Sequence, residues 1–170
     1  MSRGFVKEDD QEEAPFVPPR APLPEGVTNL VTPRGMRLLL EERERLEHAR
    51  AHVTGRDDER RREQSAIDGR LALLNERIAS ARPVEPGSGA PTDVRFGTRV
   101  TVRYHSGPLS GSERTFTIVG VDEAQAAELR IAFTSPIARA LIGRRVHERI
   151  HAVLGPAAQE LEVCAIAWAG

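Results

Sequence analysis

Residues 147–151, His147-Glu148-Arg149-Ile150-His151, spell H-E-x-x-H. On a helix that spacing puts two imidazoles on one face, where they can hold Zn²⁺ while the glutamate serves as base. In a strand, residues i and i+4 share a face but stand ~13 Å apart, too far for one ion. The segment follows a glycine stop at Gly143 and has no third ligand beside it, so the pattern reads as coincidence. His48 and His52 repeat the i, i+4 relation within a helical stretch; two ligands on an exposed rod make a weak site at best, and a solvated face is the plainer reading. Cys164, the single cysteine, lies in an apolar run and is expected as a buried, inert thiol, which leaves no disulfide framework or cysteine metal site. Asp57, Asp58 and Glu59 are three consecutive acids followed at once by Arg60, Arg61 and Arg62. Negative charge suits a helix start, and an arginine run of this kind is ordinarily a solvated face.

The elements that must carry these groups are two amphipathic helices within residues 30–82. Thr32 is a good N-cap and Pro33 sits at the first helical position, where a missing N–H costs nothing. Met36, Leu39, Leu46 and Val53 form one stripe, and Gly55 supplies a stop. After the acidic opening, Ile67, Leu71, Leu74, Ile78 and Ala81 follow at spacings of four, three, four and three, a heptad seam. The pattern predicts an antiparallel helical hairpin, a coiled coil wet on its outer faces. Pro33 to Val53 spans ~31 Å as a helix.

Residues 1–29 hold an acidic run (Glu8, Asp9, Asp10, Glu12, Glu13) and a proline-rich stretch from Pro15 to Pro24. Such composition buries too little apolar surface to offset ordering, and the reading is a disordered acidic, proline-rich tail. Residues 83–92, rich in Pro, Gly and Ser, read as a linker. From 93 to 170 the period becomes twofold. Strands are expected around Val94–Val102 (with Gly97 as a bulge), Phe116–Val119, Leu129–Phe133, Val146–Ala152 and Leu161–Ala167. A short helix runs from a Ser135 cap and Pro136 start to a Gly143 stop. The fold class is α+β: the hairpin, then a small domain with an antiparallel sheet around one short helix.

The 170 residues have room for one domain and an appendage, and the net charge of −1 argues against a nucleic-acid-coating protein. Of 24 basic residues all but Lys7 are arginine, which reads as coding habit. No apolar run approaches the ~20 residues needed to cross a bilayer. The first ten residues lack the apolar core of a signal peptide. A cytoplasmic location is the expectation.

Three phrases of the C-terminal part resemble the Gre family of bacterial transcript-cleavage and elongation factors: Phe96–Val102 (FGTRVTV), Thr115–Ala124 (TFTIVGVDEA) and Ser135–Gly143 (SPIARALIG). The helix opening Leu30–Gly35 and the returning Ile67-Asp68-Gly69-Arg70-Leu71 are also similar, so the likeness runs in order over roughly residues 30–166. The resemblance implies a coiled-coil hairpin, an FKBP-like C-terminal domain and one partner, RNA polymerase. In the family the C-terminal domain grips the rim of the polymerase secondary channel. The hairpin enters the channel, and two acidic side chains at its tip help hold a second Mg²⁺ of the polymerase active site. That metal activates a water that cuts backtracked RNA. Such a factor is not an enzyme alone and has no cofactor of its own; the Mg²⁺ is shared with the polymerase. Carried onto this sequence, the docking segment is Ser135, Pro136, Ile137, Ala138 and Arg139.

The sequence departs from the family at the tip. The D-x-S-E-N phrase is absent; the turn reads Val53-Thr54-Gly55-Arg56-Asp57-Asp58-Glu59, and the arms are several turns shorter. A carboxylate must reach ~2.1 Å to ligate Mg²⁺, and one missing turn is ~5.4 Å. Asp57, Asp58 and Glu59 are therefore either a displaced metal-delivering tip or helix-capping acids, with three neighbouring arginines opposing a cation. Those arginines would alternatively meet acidic channel walls or RNA phosphate. The readings left open are an elongation factor of Gre type, a channel-occupying competitor of cleavage factors, and a structural coiled-coil interaction module. A monomer is expected, since the seam is satisfied within its own hairpin. An FKBP-like fold alone does not carry prolyl isomerase activity, and aromatic residues make up only 4% of the chain, too few to build a prolyl pocket.

Overall fold

A computed structural model describes residues 14–170; the acidic run Glu8–Glu13 lies outside them. A two-residue strand β1 (Leu30–Val31) leads into helix α1 (Pro33–Ala51). A short turn connects it to helix α2 (Asp57–Ser80), which ends in β2 (Arg82–Pro83). After a linker come β3 (Thr98–Tyr104), β4 (Glu113–Val119), β5 (Arg130–Ala132), the short helix α3 (Pro136–Leu141), β6 (Arg149–Leu154) and β7 (Ala157–Trp168).

Local chemistry explains these limits. The Thr32 hydroxyl accepts from the Gly35 N–H at 2.9 Å, with proline in the first turn behind it. The chain leaves α1 at His52, and Gly55, at φ +123°, turns it where a side chain would be strained. Glu59 closes the start of α2 by accepting from the Arg56 N–H at 3.4 Å. At the other end β1 and β2 pair in parallel, with Arg82 N–H donating to the Asn29 carbonyl at 2.8 Å and Val84 N–H to Val31 at 2.9 Å. This pairing, with no counterpart in the sequence reading, zips the base of the helical pair.

The apolar seam is real near that base and thins away from it. Leu39, Leu74, Ala81 and Val31 are buried together, with Met36, Leu46 and Ile78 packed against them. Ile67 is also buried, while Leu71 and Val53 are only half covered. Beside Ile67 the exposed Arg50–Asp68 ion pair joins the two helices. α2 has 24 residues against 19 in α1, so its first turn overhangs by about 7 Å.

The five main strands lie in the order β5-β4-β3-β7-β6. Thr98, Val100, Val102 and Tyr104 of β3 turn inward at every second position, meeting Phe116, Ile118, Leu161 and Val163. Ala138 and Leu141 of α3 close this core without exposure. The register shifts between Thr101 and Val102, so the irregularity lies there and not at Gly97, which turns the chain before β3 at φ +81°.

The sheet is mixed, which corrects the expectation of an antiparallel one: β5 runs parallel to β4. A parallel return requires the chain to leave the sheet and come back. It does so through residues 120–129, closing with Leu129 in the left-handed region at φ +53°. Gly120 opens this crossover hard against the base of the helical pair, where a Cβ would stand 2.6 Å from the Leu30 carbonyl oxygen. A second tie is Trp168, whose indole N–H donates to the Gly89 carbonyl at 2.8 Å and whose ring covers Gly87 in the linker.

Because backbone on both sides fixes the Gly120 contact, Gly120→Ala should destabilise the protein by about 1–3 kcal/mol. Urea unfolding followed by circular dichroism measures it; an unchanged midpoint would show that β1 is free to shift.

Candidate functional site

Three regions carry the groups that the sequence singles out: the tip of the helical pair, the segment around α3, and the crossover where the two parts meet.

At the tip, Asp57 and Asp58 are exposed and each is held by its own neighbour. Arg60 donates to Asp57 at 2.8 Å and Arg61 to Asp58 at 2.5 Å, both i, i+3 pairs. The Glu59 carboxylate serves the backbone cap described above. Residues 56–62 carry four arginines and three acids, a surplus of positive charge.

Around α3, the Ser135 hydroxyl accepts from the Ala138 N–H at 3.3 Å. Pro136 and Arg139 are exposed, Ile137 packs on the sheet core, and Ala138 has no exposure at all. The surface of this segment is therefore made by Pro136 and Arg139 and continued by the exposed Ile142 and Val146.

The crossover carries Asp122 and Glu123, the acids of the Thr115–Ala124 phrase. Glu123 is 6% exposed. Its carboxylate accepts from the Thr32 hydroxyl, from Arg34 at 3.3 Å and from Arg130 at 3.0 Å. Thr32 thus caps α1 and meets Glu123 with the same oxygen. Gly35 leaves room for that carboxylate: a Cβ there would lie 2.7 Å from Oε2. Asp122, beside it, accepts from Arg20 at 3.0 Å and has Arg77 of α2 at 3.2 Å from its other oxygen. Arg20 comes from the proline-rich stretch read as a loose tail. The hydrogen bond to Glu42 holds its guanidinium above the ordinary arginine value, opposed by burial and helped by Asp122. The signal for the crossover was available: two acids directly after an apolar strand need partners if they are buried.

The histidine pattern lands on a turn and an edge strand. His147 is exposed at φ +71°, and His151 sits in β6. No helix joins them, so the zinc geometry is not formed. His48 and His52 are exposed and stacked at 4.0 Å, with His52 Nδ1 2.7 Å from the His48 carbonyl oxygen. Among the described residues, no group of three or more His, Cys, Asp or Glu is placed to hold a metal ion. None of their helices is long and apolar enough to cross a membrane. Cys164 is half-buried and not fully enclosed, because it points to the outer side of β7; burial still pushes its thiol up.

The arrangement defines a two-part factor: a narrow helical pair presented by a small α+β platform. The family model described as "Transcription elongation factor, GreA/GreB, C-term" matches residues 90–167. A protein of Syntrophotalea carbinolica named transcription elongation factor GreA is 35% identical over 111 residues, covering 65% of this chain and 68% of that one. One of Chloroflexus aggregans with the same name is 34% identical over 97 residues, covering 57% and 60%. The chain belongs to the GreA/GreB family. It spans about 60–68% of the length of these relatives. Among solved structures, GreA/GreB from Nitrosomonas europaea is 19% identical with a TM-score of 0.41, covering 84% of this chain and 99% of that one. GreA factor homolog 1 (Gfh1) of Thermus thermophilus is 23% identical with a TM-score of 0.38, covering 82% and 99%.

On the sheet surface, His105 Nε2 lies 2.7 Å from Glu162, and this hydrogen bond, above all, holds the Glu162 carboxyl below its ordinary value. A carboxylate with a depressed folded value adds stability above its unfolded value and loses it as pH falls through the folded one. His105→Ala should raise the Glu162 value toward the usual carboxylate range and flatten the acid limb of stability. Carboxyl ¹³C NMR titration reads the first and acid unfolding the second; an unmoved titration would assign the effect to Arg149 and Arg103.

Proposed function

We propose that this protein binds bacterial RNA polymerase and modulates elongation by occupying the secondary channel with its helical pair. In this reading the pair is a coiled-coil hairpin and the platform an FKBP-like domain that docks on the channel rim through Ser135, Pro136 and Arg139, with Ile137 and Ala138 shaping the helix from inside. The factor is no enzyme by itself; any chemistry belongs to the polymerase and its Mg²⁺. What supports the reading is family membership together with a helical pair whose tip, from Arg56 to Arg62, is exposed.

The tip's charge balance favours occupancy over metal delivery. Exposed ion pairs such as Arg60–Asp57 contribute only about 0.3–0.5 kcal/mol each, so they alone would yield to a cation. The surplus of arginine is the stronger term: an incoming Mg²⁺ meets net repulsion across residues 56–62. The same arginines suit acidic channel walls or the phosphates of backtracked RNA, an indirect contact that the occupancy reading includes. The competing reading, a displaced metal-delivering tip, draws on the exposure of Asp57 and Asp58.

Association with purified core polymerase, measured by native gel or interferometry, is expected, and Arg139→Glu should weaken it about tenfold, roughly 1.4 kcal/mol. On a stalled, backtracked complex, RNA shortening should not exceed the factor-free rate, while elongation slows. Failure to associate sinks the proposal. Shortening that appears with the wild type and vanishes in Asp57→Ala/Asp58→Ala/Glu59→Ala moves the assignment to metal delivery.

A further inference from the structure

We propose that residues 14–23 form a strap that fixes the angle of the helical pair on its platform, with Arg20 as the positioning residue. The argument is one of leverage. The Glu123 contacts to Thr32 and Arg34, the β1–β2 pairing and the Gly120–Leu30 approach all lie at the root of the helices. Ties at a pivot resist separation but resist tilting poorly. The strap acts higher up. Arg20 forks onto Glu42 of α1 with bonds of 2.9 and 3.0 Å and reaches Asp122 of the platform from the same guanidinium. Glu42 is ten residues beyond Thr32, about 15 Å along the helix.

The strap also holds the second helix. Arg77 of α2 donates to the Ala21 carbonyl at 2.6 Å and faces Asp122 at 3.2 Å. Asn29 donates to the Arg77 carbonyl at 3.0 Å. Further out, Val17 packs against Gly69 of α2; a Cβ there would come within 2.5 Å of it. Both helices and the crossover are therefore joined through one short segment. The Arg20 side chain is 17% exposed and that of Asp122 9%, so this bridge is partly withdrawn from water and its geometry matters. Lysine in its place keeps the charge but not the planar fork needed to hold two carboxylates at once.

This inference takes from the proposed function only the idea that the hairpin is a probe. Its test uses the free protein and can fail while polymerase binding stands. In a Cys164→Ser background, spin labels at Arg61→Cys on the tip and Ser110→Cys on the platform report their separation by pulsed electron resonance. The otherwise unaltered strap should give one narrow distribution. Arg20→Ala should at least double its width, Arg20→Lys should restore it only in part, and Glu42→Gln, a milder change at a half-exposed site, should broaden it less than Arg20→Ala. Widths unchanged in Arg20→Ala with native circular dichroism overturn the proposal. If Arg20→Ala does not fold, the Glu42→Gln width decides in the same way.

Discussion

One buried carboxylate organises the molecule. Glu123 is withdrawn from water and so must find donors, because a carboxylate left alone in the interior costs several kcal/mol. The donors come from both parts: Thr32 and Arg34 from the helices, Arg130 from β5. Thr32 is at once the cap of α1 and a donor to the platform, so the start of the helix and the meeting of the two halves form one structural event. Gly35 and Gly120 have their identities for the same reason, since each leaves space that a methyl group would fill. The parallel setting of β5 belongs to this scheme as well. The chain leaves the sheet after β4 in order to carry Asp122 and Glu123 to the helices, and the detour brings it back running in the same direction.

Much of this was legible in the residues. The helix starts at Pro33, Asp57 and Pro136 follow from caps, proline and acids with local mechanisms, and these do not depend on the rest of the fold. The alternation of Val100 and Val102 in β3 and of Leu161 and Val163 in β7 was readable because one face is core. What escaped was long-range. Nothing near Asp122 in sequence announces Arg20 or Arg77, which lie 102 and 45 positions away. Proline-rich composition argued for looseness over residues 14–29, yet proline also lowers the entropy lost on ordering, and a few directed contacts hold the described part. The two-residue strands β1 and β2 carry no periodicity to detect. In the candidate docking segment, cap, proline and glycine gave the helix, and spacing placed Ile137 and Leu141 inward and Arg139 outside; Ile142, expected inward as well, is exposed, and Ala138 is wholly enclosed.

The tip illustrates how like residues acquire different meaning from charge balance. Asp57, Asp58 and Glu59 would form an attractive cation site in isolation. Followed by three arginines, two of which pair back onto Asp57 and Asp58, they become the opening turn of a helix. The apolar seam thins toward the same end, where the outer half relies on caps and on exposed charge pairs that each contribute little.

The indole of Trp168 spans the gap between the end of the sheet and the linker that descends from the helices. The chain has no other tryptophan. Its ring lies on bare glycine backbone at Gly87 and its N–H is satisfied at Gly89, so a parting of linker and sheet would wet the ring and free the N–H together. Intrinsic emission is consequently a label-free optical gauge of that seam: a red shift without loss of helical ellipticity would mark the linker lifting while both halves stay folded.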